Sequence, residues 1–157
     1  SLGDESFIAF LDTELREAQI PPQILAFELT ETAAVANIVR AEALIRRLRD
    51  LGFEVALDDF GRGLSSLGYL KTLPVTSLKI DSSLVRDIAG DSRSQAMLSA
   101  IVQLARAIGL KTVAEGVETE EIRRITARLG VEFAQGFGIG RPEALEGVIE
   151  RLVAAKL

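Results

Sequence analysis

Hydrophobic positions along the chain follow two spacings, one typical of helices and one typical of buried strands. Apolar side chains that recur every three and four residues predict helices at 5–18, 33–51, 92–108, 119–129 and 143–156. Short apolar runs of strand length lie between these stretches, at Leu25–Thr30, Glu54–Asp58, Ser77–Asp81, Lys111–Glu115 and Glu132–Gln135. Strands that alternate with helices in this way are typical of βαβ units in a parallel sheet.

Three of the predicted helices end in the same way, with a glycine at Gly52, Gly109 or Gly130. Glycine readily takes the left-handed conformation that ends a helix. A strand begins within two residues of each glycine, and a polar residue closes that strand five or six residues after the glycine. The repeat indicates one supersecondary unit that is reused, so that each copy delivers a polar group to the same edge of the sheet.

Polar side chains stand at the end of every predicted strand, or just beyond it. They are Glu28 and Glu31, Asp58 and Asp59, Lys79 and Asp81, Glu115 and Glu118, and Gln135. Because loops at the carboxyl ends of parallel strands carry the active site in α/β folds, we expect these side chains to meet at one rim. Taken singly, an acid at such a position is usually a helix cap or a solvated loop residue. Taken alone, Lys79 is equally a lysine that extends its charged end into solvent or half of an ion pair with Asp81.

Asp58 and Asp59 are consecutive, so in a regular strand they would point to opposite faces. They can serve one centre only if the strand breaks between them, and Phe60-Gly61-Arg62-Gly63 supplies flexible backbone for such a break. Two carboxylates at such close range repel each other unless a cation lies between them. The pair therefore predicts a divalent metal site that holds one cation or two.

The composition narrows the chemistry of this site. The 157 residues include no cysteine and no histidine, which excludes disulfides, a thiolate zinc site, a cysteine nucleophile and a Ser-His-Asp triad. Any metal is then a hard cation with oxygen ligands.

The net charge of −5 is spread along the chain, so DNA is not an expected partner. No apolar run reaches the about 20 residues of a membrane span, and the start is no signal peptide, so we expect a cytoplasmic protein without a membrane segment.

Five ordered motifs resemble those of one family of signalling enzymes. They are Phe27–Thr32, Asp58–Gly61, Leu78–Asp81, Ala114–Thr119 and Gln135–Phe137. Their order and spacing resemble the EAL family of cyclic di-GMP phosphodiesterases over essentially the whole chain. The resemblance implies a TIM-type (β/α)8 barrel, of which residues 1–157 hold about the last five βα units as a single, N-terminally incomplete domain. It also implies hydrolysis of cyclic di-GMP to linear pGpG with Mg²⁺ or Mn²⁺.

The resemblance further implies a role for each polar residue of the rim. The metal ligands would be Glu28, Asp58, Asp59 and Glu115. Lys79 resembles the lysine that positions or deprotonates the attacking water, and the catalytic set would be Lys79, Glu115, Asp81 and Gln135. Loop-positioning residues would be Glu31, which resembles the acid that holds the loop after Asp59 in its active shape, and Glu118.

The chain also departs from the family pattern. A literal Glu42-Ala43-Leu44 lies inside a predicted helix, whereas the family's own Glu-Ala-Leu strand and its asparagine ligand are expected before Glu28. Arg62 and Leu64 replace the threonine and tyrosine that are usual in active members. These replacements leave open a catalytically silent module that binds cyclic di-GMP or a protein partner, and an unrelated α/β phosphate-binding fold is a further alternative.

The incomplete barrel carries expectations about partners. A sheet that begins at Leu25–Thr30 and ends at Phe133–Gln135 has two open edges, which invite pairing with a second copy or follow from truncation. The resemblance implies a homodimer and an upstream sensor or GGDEF-type domain in the full protein. We expect this piece alone to be inactive.

Overall fold

A computed structural model describes residues 5–62 and 67–154 of the chain. Within these residues the strands are β1 (Ala26–Thr30), β2 (Glu54–Phe60), β3 (Ser77–Ile80), β4 (Lys111–Ala114) and β5 (Phe133–Ala134). The helices are α1 (Glu5–Glu17), α2 (Glu31–Ala36), α3 (Ile38–Asp50), α4 (Ser82–Val85), α5 (Ser92–Ala107), α6 (Glu120–Leu129) and α7 (Leu145–Ala154). Short 3₁₀ turns lie at Pro22–Ile24 and Leu67–Lys71. Leu64 and the last two residues of the helix predicted to end at 156 lie outside the described residues.

The strands form one parallel sheet in the order β1-β2-β3-β4-β5, as predicted. Each connection passes through helical structure and returns to the next position in the sheet, which places all five carboxyl ends along the same rim. Within the described parts of the chain, β1 and β5 each pair on one side only. The two open edges are therefore those that the sequence predicts.

A hydrophobic cluster packs against β2 and β3, the strands at the middle of the sheet. Phe53, Leu57 and Leu78 are fully buried there. Ile45 and Leu48 reach the same cluster from α3, because residues three apart share one face of a helix. This packing fixes β2 and β3 in place, and with them the positions from which their terminal side chains extend.

The helix predicted at 33–51 is two helices, so the prediction of one continuous helix is wrong. Asn37 has non-helical dihedral angles, φ −153° and ψ 82°, and its side-chain oxygen accepts a hydrogen bond from the Arg40 amide at 3.0 Å. An asparagine favours such a capping position over a helix interior. Glu42-Ala43-Leu44 lies inside α3, where Glu42 pairs with Arg46 at 2.6 Å on the helix surface. This Glu-Ala-Leu is therefore not part of the rim.

The repeated glycines end their helices as predicted. Gly52, Gly109 and Gly130 have φ values of 91°, 77° and 89°, all in the left-handed region. Among the helices of the described residues, none is both long and apolar enough to span a membrane.

Candidate metal site

The rim of the sheet brings together side chains from four neighbouring strands. Glu28 lies in β1, Asp58 and Asp59 lie in β2, Lys79 lies in β3, and Glu115 directly follows β4. Their convergence follows from the parallel order of the strands, as the sequence predicts.

Lys79 lies at the centre of this group. Its Nζ atom is 2.9 Å from Glu28 Oε2, 3.0 Å from Asp58 Oδ1 and 2.8 Å from Glu115 Oε1. The three acids come from three different strands, and only 7% of the lysine side chain is exposed. From its position on β3, Lys79 therefore forms ion pairs with acids of β1, of β2 and of the residue that follows β4. Among the described residues, Lys79 neither pairs with Asp81 nor extends its charged end into solvent, which were the two alternatives for this lysine.

The surroundings of Lys79 keep it charged. Burial by itself lowers the pKa of a lysine, but the nearby carboxylates of Glu115, Glu28 and Asp58 outweigh burial and raise the pKa of Lys79 above the ordinary value. In this arrangement the side chain is an ammonium that donates hydrogen bonds.

The predicted break between Asp58 and Asp59 is present. Asp59 has a φ of 57°, and the pairing of β2 with β3 shifts register between Leu57 and Phe60. This bulge turns the second aspartate toward the same side as the first. Carboxylate oxygens of Asp58, Asp59 and Glu115 consequently lie within 4.8 Å of one another.

These three carboxylates fit a divalent cation. All are oxygen donors, which Mg²⁺ and Mn²⁺ prefer. Asp58 Oδ1 is moreover buried without a hydrogen-bond partner among the described residues, since its 3.0 Å approach to Lys79 Nζ lacks hydrogen-bond geometry. A buried carboxylate oxygen in this condition has unused capacity to bind a cation. Glu28 contacts Lys79 and is not in the group of three, so its role as a metal ligand stays a prediction.

Glu31 lies one residue beyond β1 and is only 4% exposed. Its Oε2 accepts a hydrogen bond from the Gly61 amide at 3.2 Å, and its Oε1 accepts a short one from the Tyr69 hydroxyl. Gly61 has a φ of 92°, which residues other than glycine rarely adopt, and an added Cβ atom would also press against the end of the Leu84 side chain, so this position favours glycine. Glu31 therefore holds the backbone two residues after Asp59.

Tyr69 contacts this site, and the sequence analysis does not predict that contact. It is the single tyrosine of the chain, and a buried tyrosine hydroxyl usually has a hydrogen-bond partner. That rule points to a polar partner for Tyr69 but does not identify Glu31, which is 38 residues away in sequence.

The other predicted site residues lie around this cluster. Asp81 is 8% exposed and caps α4, where its Oδ1 accepts a hydrogen bond from the Ser83 amide at 2.9 Å. Burial acts to raise its pKa, but the hydrogen bonds from Ser83 and the nearby Arg62 lower it below the ordinary value. Glu118 and Gln135 are exposed, and Gln135 joins β4 through its backbone amide, 2.8 Å from the Ala114 carbonyl. Their roles stay predictions.

Fold and site together define a parallel βα sheet whose carboxyl rim holds acids around one lysine. The EAL domain family model matches residues 1–142, and the chain belongs to the EAL family. The resemblance stated from the sequence motifs is confirmed.

Curated relatives share the sequence over nearly the whole chain. Cyclic di-GMP phosphodiesterase PdeB of Shewanella oneidensis is 41% identical over 151 residues, which are 96% of this chain and 18% of that protein. The bifunctional diguanylate cyclase/cyclic di-GMP phosphodiesterase MucR of Pseudomonas aeruginosa is 42% identical over 130 residues, which are 83% and 19%. The chain therefore spans about a fifth of the length of these relatives.

Solved structures share the fold. The EAL domain of Mycobacterium smegmatis DcpA superposes with a TM-score of 0.85 at 36% identity, covering 96% of this chain and 67% of that one. The PaMucR phosphodiesterase in complex with c-di-GMP gives 0.85 at 38% identity, covering 94% and 60%. Klebsiella pneumoniae BlrP1 with manganese and cy-diGMP gives 0.82 at 32% identity, covering 88% and 36%. The prediction of a partial TIM-type barrel is confirmed.

Proposed function

We propose that this chain forms part of the site of a phosphodiesterase that hydrolyses cyclic di-GMP to linear pGpG. The observation that carries the proposal is the group Asp58, Asp59 and Glu115, with carboxylate oxygens within 4.8 Å, around the buried Lys79. Support comes from PdeB, which is named a cyclic di-GMP phosphodiesterase, and from the PaMucR structure with c-di-GMP.

In this proposal Asp58, Asp59 and Glu115 hold Mg²⁺ or Mn²⁺, with Glu28 as a further ligand. The bound cation supplies a more nucleophilic water and neutralises charge on the phosphate oxygens. Water attacks the phosphorus and the bond to the 3′ oxygen breaks, which opens the ring and leaves a linear dinucleotide with a 5′ phosphate. The Lys79 ammonium donates hydrogen bonds that position the attacking water against the phosphate.

The remaining predicted residues position loops or orient the substrate. Glu31 holds the Gly61 amide and thereby fixes the backbone that presents Asp59, which is the proposed loop-positioning role. Glu118 has the same kind of role on its own loop. Asp81 and Gln135 orient the substrate at the rim, and Asp81 does so from a position that its cap on α4 makes rigid.

The proposal for the whole protein extends beyond this site. We place residues 1–157 as one partial EAL domain in a cytoplasmic homodimer, with a sensor or GGDEF-type domain elsewhere in the protein. Two facts support this part: the chain spans about a fifth of its curated relatives, and MucR is named as a bifunctional enzyme. The one-sided pairing of β1 and β5 leaves edges for further strands or a second copy.

The test is turnover by the full protein with Mn²⁺ present, followed as release of pGpG. Asp59→Asn removes one carboxylate charge but keeps a residue that tolerates positive φ, and it should lower turnover by about 100-fold or more. Asp50→Asn changes the same chemistry at the exposed end of α3 and should leave turnover unchanged. A full protein that releases no pGpG with Mn²⁺ contradicts the proposal.

A second candidate is a catalytically silent module that binds cyclic di-GMP without hydrolysing it. Arg62 favours it, because an arginine lies where active members have threonine and its charge reaches Asp81. Calorimetry separates the two: the silent module binds the dinucleotide without added metal and the ligand is recovered intact. Recovery of pGpG excludes the silent module.

A further inference from the structure

Lys79 and the proposed divalent cation use the same carboxylates. Asp58 and Glu115 belong to the group that fits a cation, and each also has an oxygen within 3.0 Å of Lys79 Nζ. We propose that Lys79 is a built-in antagonist of the metal, which keeps the acids together while it lowers their affinity for the divalent cation. This inference rests on the metal site of the proposed function but on no step of hydrolysis.

The position of Lys79 keeps its ammonium next to the carboxylates that would also bind the cation. The lysine lies on β3, between the strands of its acidic partners, and its side chain is only 7% exposed. Its neighbours Leu78 and Ile80 are fully buried, so the backbone of β3 is fixed. A surface lysine would turn into solvent when a metal binds, whereas this one keeps its charge close to the acids.

Two electrostatic effects act in the same direction. An ammonium beside a divalent cation repels it, and because the Lys79 side chain is nearly buried, water screens this repulsion less than it would at an exposed site. The ammonium also relieves repulsion among Glu28, Asp58 and Glu115. A metal that binds later therefore relieves less repulsion, and its binding free energy is less favourable. Removal of the lysine charge therefore strengthens metal binding on both grounds.

The decisive experiment measures Mn²⁺ affinity of the full chain without any nucleotide. Lys79→Met keeps the length of the side chain and removes its charge, and it should tighten Mn²⁺ binding by about tenfold or more. Lys111→Met removes the same charge from an exposed lysine at the opposite end of β4 and is the matched control. This control variant should bind Mn²⁺ as the original chain does.

The readouts are the free Mn²⁺ signal in electron paramagnetic resonance and the thermal shift that Mn²⁺ produces. Mn²⁺ should raise the unfolding temperature of Lys79→Met by more than that of the original chain, because the unpaired acids gain more from the cation. An affinity of Lys79→Met that equals or falls below that of the original chain overturns the proposal. Equal tightening in Lys111→Met also overturns it, since bulk charge would then be the cause.

The original chain provides a test that needs no variant to fold. In a Mg²⁺ titration followed by nuclear magnetic resonance, the Cε signal of Lys79 should shift in step with metal occupancy, while that of Lys111 stays constant. A Lys79 signal that does not change at saturating Mg²⁺ overturns the proposal. Because no substrate is present, a silent module would still give the expected result, so failure here and failure of turnover are distinguishable.

Discussion

Two clusters of charged side chains in this molecule differ in their burial and in how far apart in sequence their members lie. At the rim, one lysine contacts three acids that come from three strands, and its side chain is 7% exposed. On α6, one glutamate contacts two arginines of the same helix: Glu120 lies 2.6 Å from Arg123 and 2.9 Å from Arg124, and its side chain is 51% exposed. Charge pairing alone therefore does not mark a functional site. Burial and convergence from distant parts of the chain do.

The difference has an energetic basis. Pairs three or four residues apart on an exposed helix form as soon as the helix forms, and they contribute little because water and salt screen them. Charges gathered at a buried rim must be carried there by the fold, and each would be costly without its partner. A protein retains the second arrangement at the expense of stability, which is the pattern expected at a site that binds or reacts.

The largest difference between the clusters should appear in metal binding. Asp58→Ala removes the buried oxygen that lacks a hydrogen-bond partner, and it should weaken Mn²⁺ binding by about 100-fold or more, because a carboxylate ligand is lost. Calorimetry with Mn²⁺ measures this. Glu120→Ala is the matched change in the exposed cluster and should leave Mn²⁺ affinity unaltered. If both variants bind Mn²⁺ normally, the rim is not the metal site.

A smaller effect is expected at the buried acid beside the rim. Tyr69→Phe removes the hydroxyl that donates to Glu31 and leaves a buried carboxylate with one donor fewer, which should lower the free energy of unfolding by about 1–3 kcal/mol. Urea denaturation measures this change. Addition of a second substitution, Glu31→Gln, should cost less in Tyr69→Phe than in the original chain, because the two side chains interact directly. Additive losses would contradict that interaction.

The smallest effect concerns the exposed cluster itself. Hydrogen bonds from Arg123 and Arg124 lower the pKa of Glu120 to about 2. Because this pKa is depressed in the folded state, any stability that Glu120 adds is present above its unfolded pKa and is lost as the pH falls toward 2. Nuclear magnetic resonance should record the low pKa in dilute buffer and a rise toward the ordinary value in 1 M salt, where screening is about 3 Å in range. A pKa that salt does not move would indicate a shielded pair.

Much of the site was predictable because its residues follow a rule that is local in sequence. Polar residues at strand ends meet at one rim once the strands are parallel, which is enough to bring Glu28, Asp58, Lys79 and Glu115 together. The break at Asp59 was predictable from two adjacent acids before a flexible Gly61. The contact between Tyr69 and Glu31 was not predictable in this way, because the two residues are 38 positions apart in sequence. The cap that Asp81 forms on α4 is local, but a four-residue helix is too short to show an apolar period. The interruption at Asn37 was missed because apolar spacing continues across it.

The backbone of Asp59 restricts what evolution or design can place there. Its φ of 57° lies in a region that non-glycine residues seldom adopt, although aspartate and asparagine do so more readily than most others. A hard cation at this point asks for a negatively charged oxygen, which asparagine lacks. Aspartate satisfies both demands in one residue, whereas glutamate meets the charge but adopts this conformation less readily. A replacement at position 59 must therefore meet two requirements: it must adopt a positive φ, and it must supply a negatively charged oxygen.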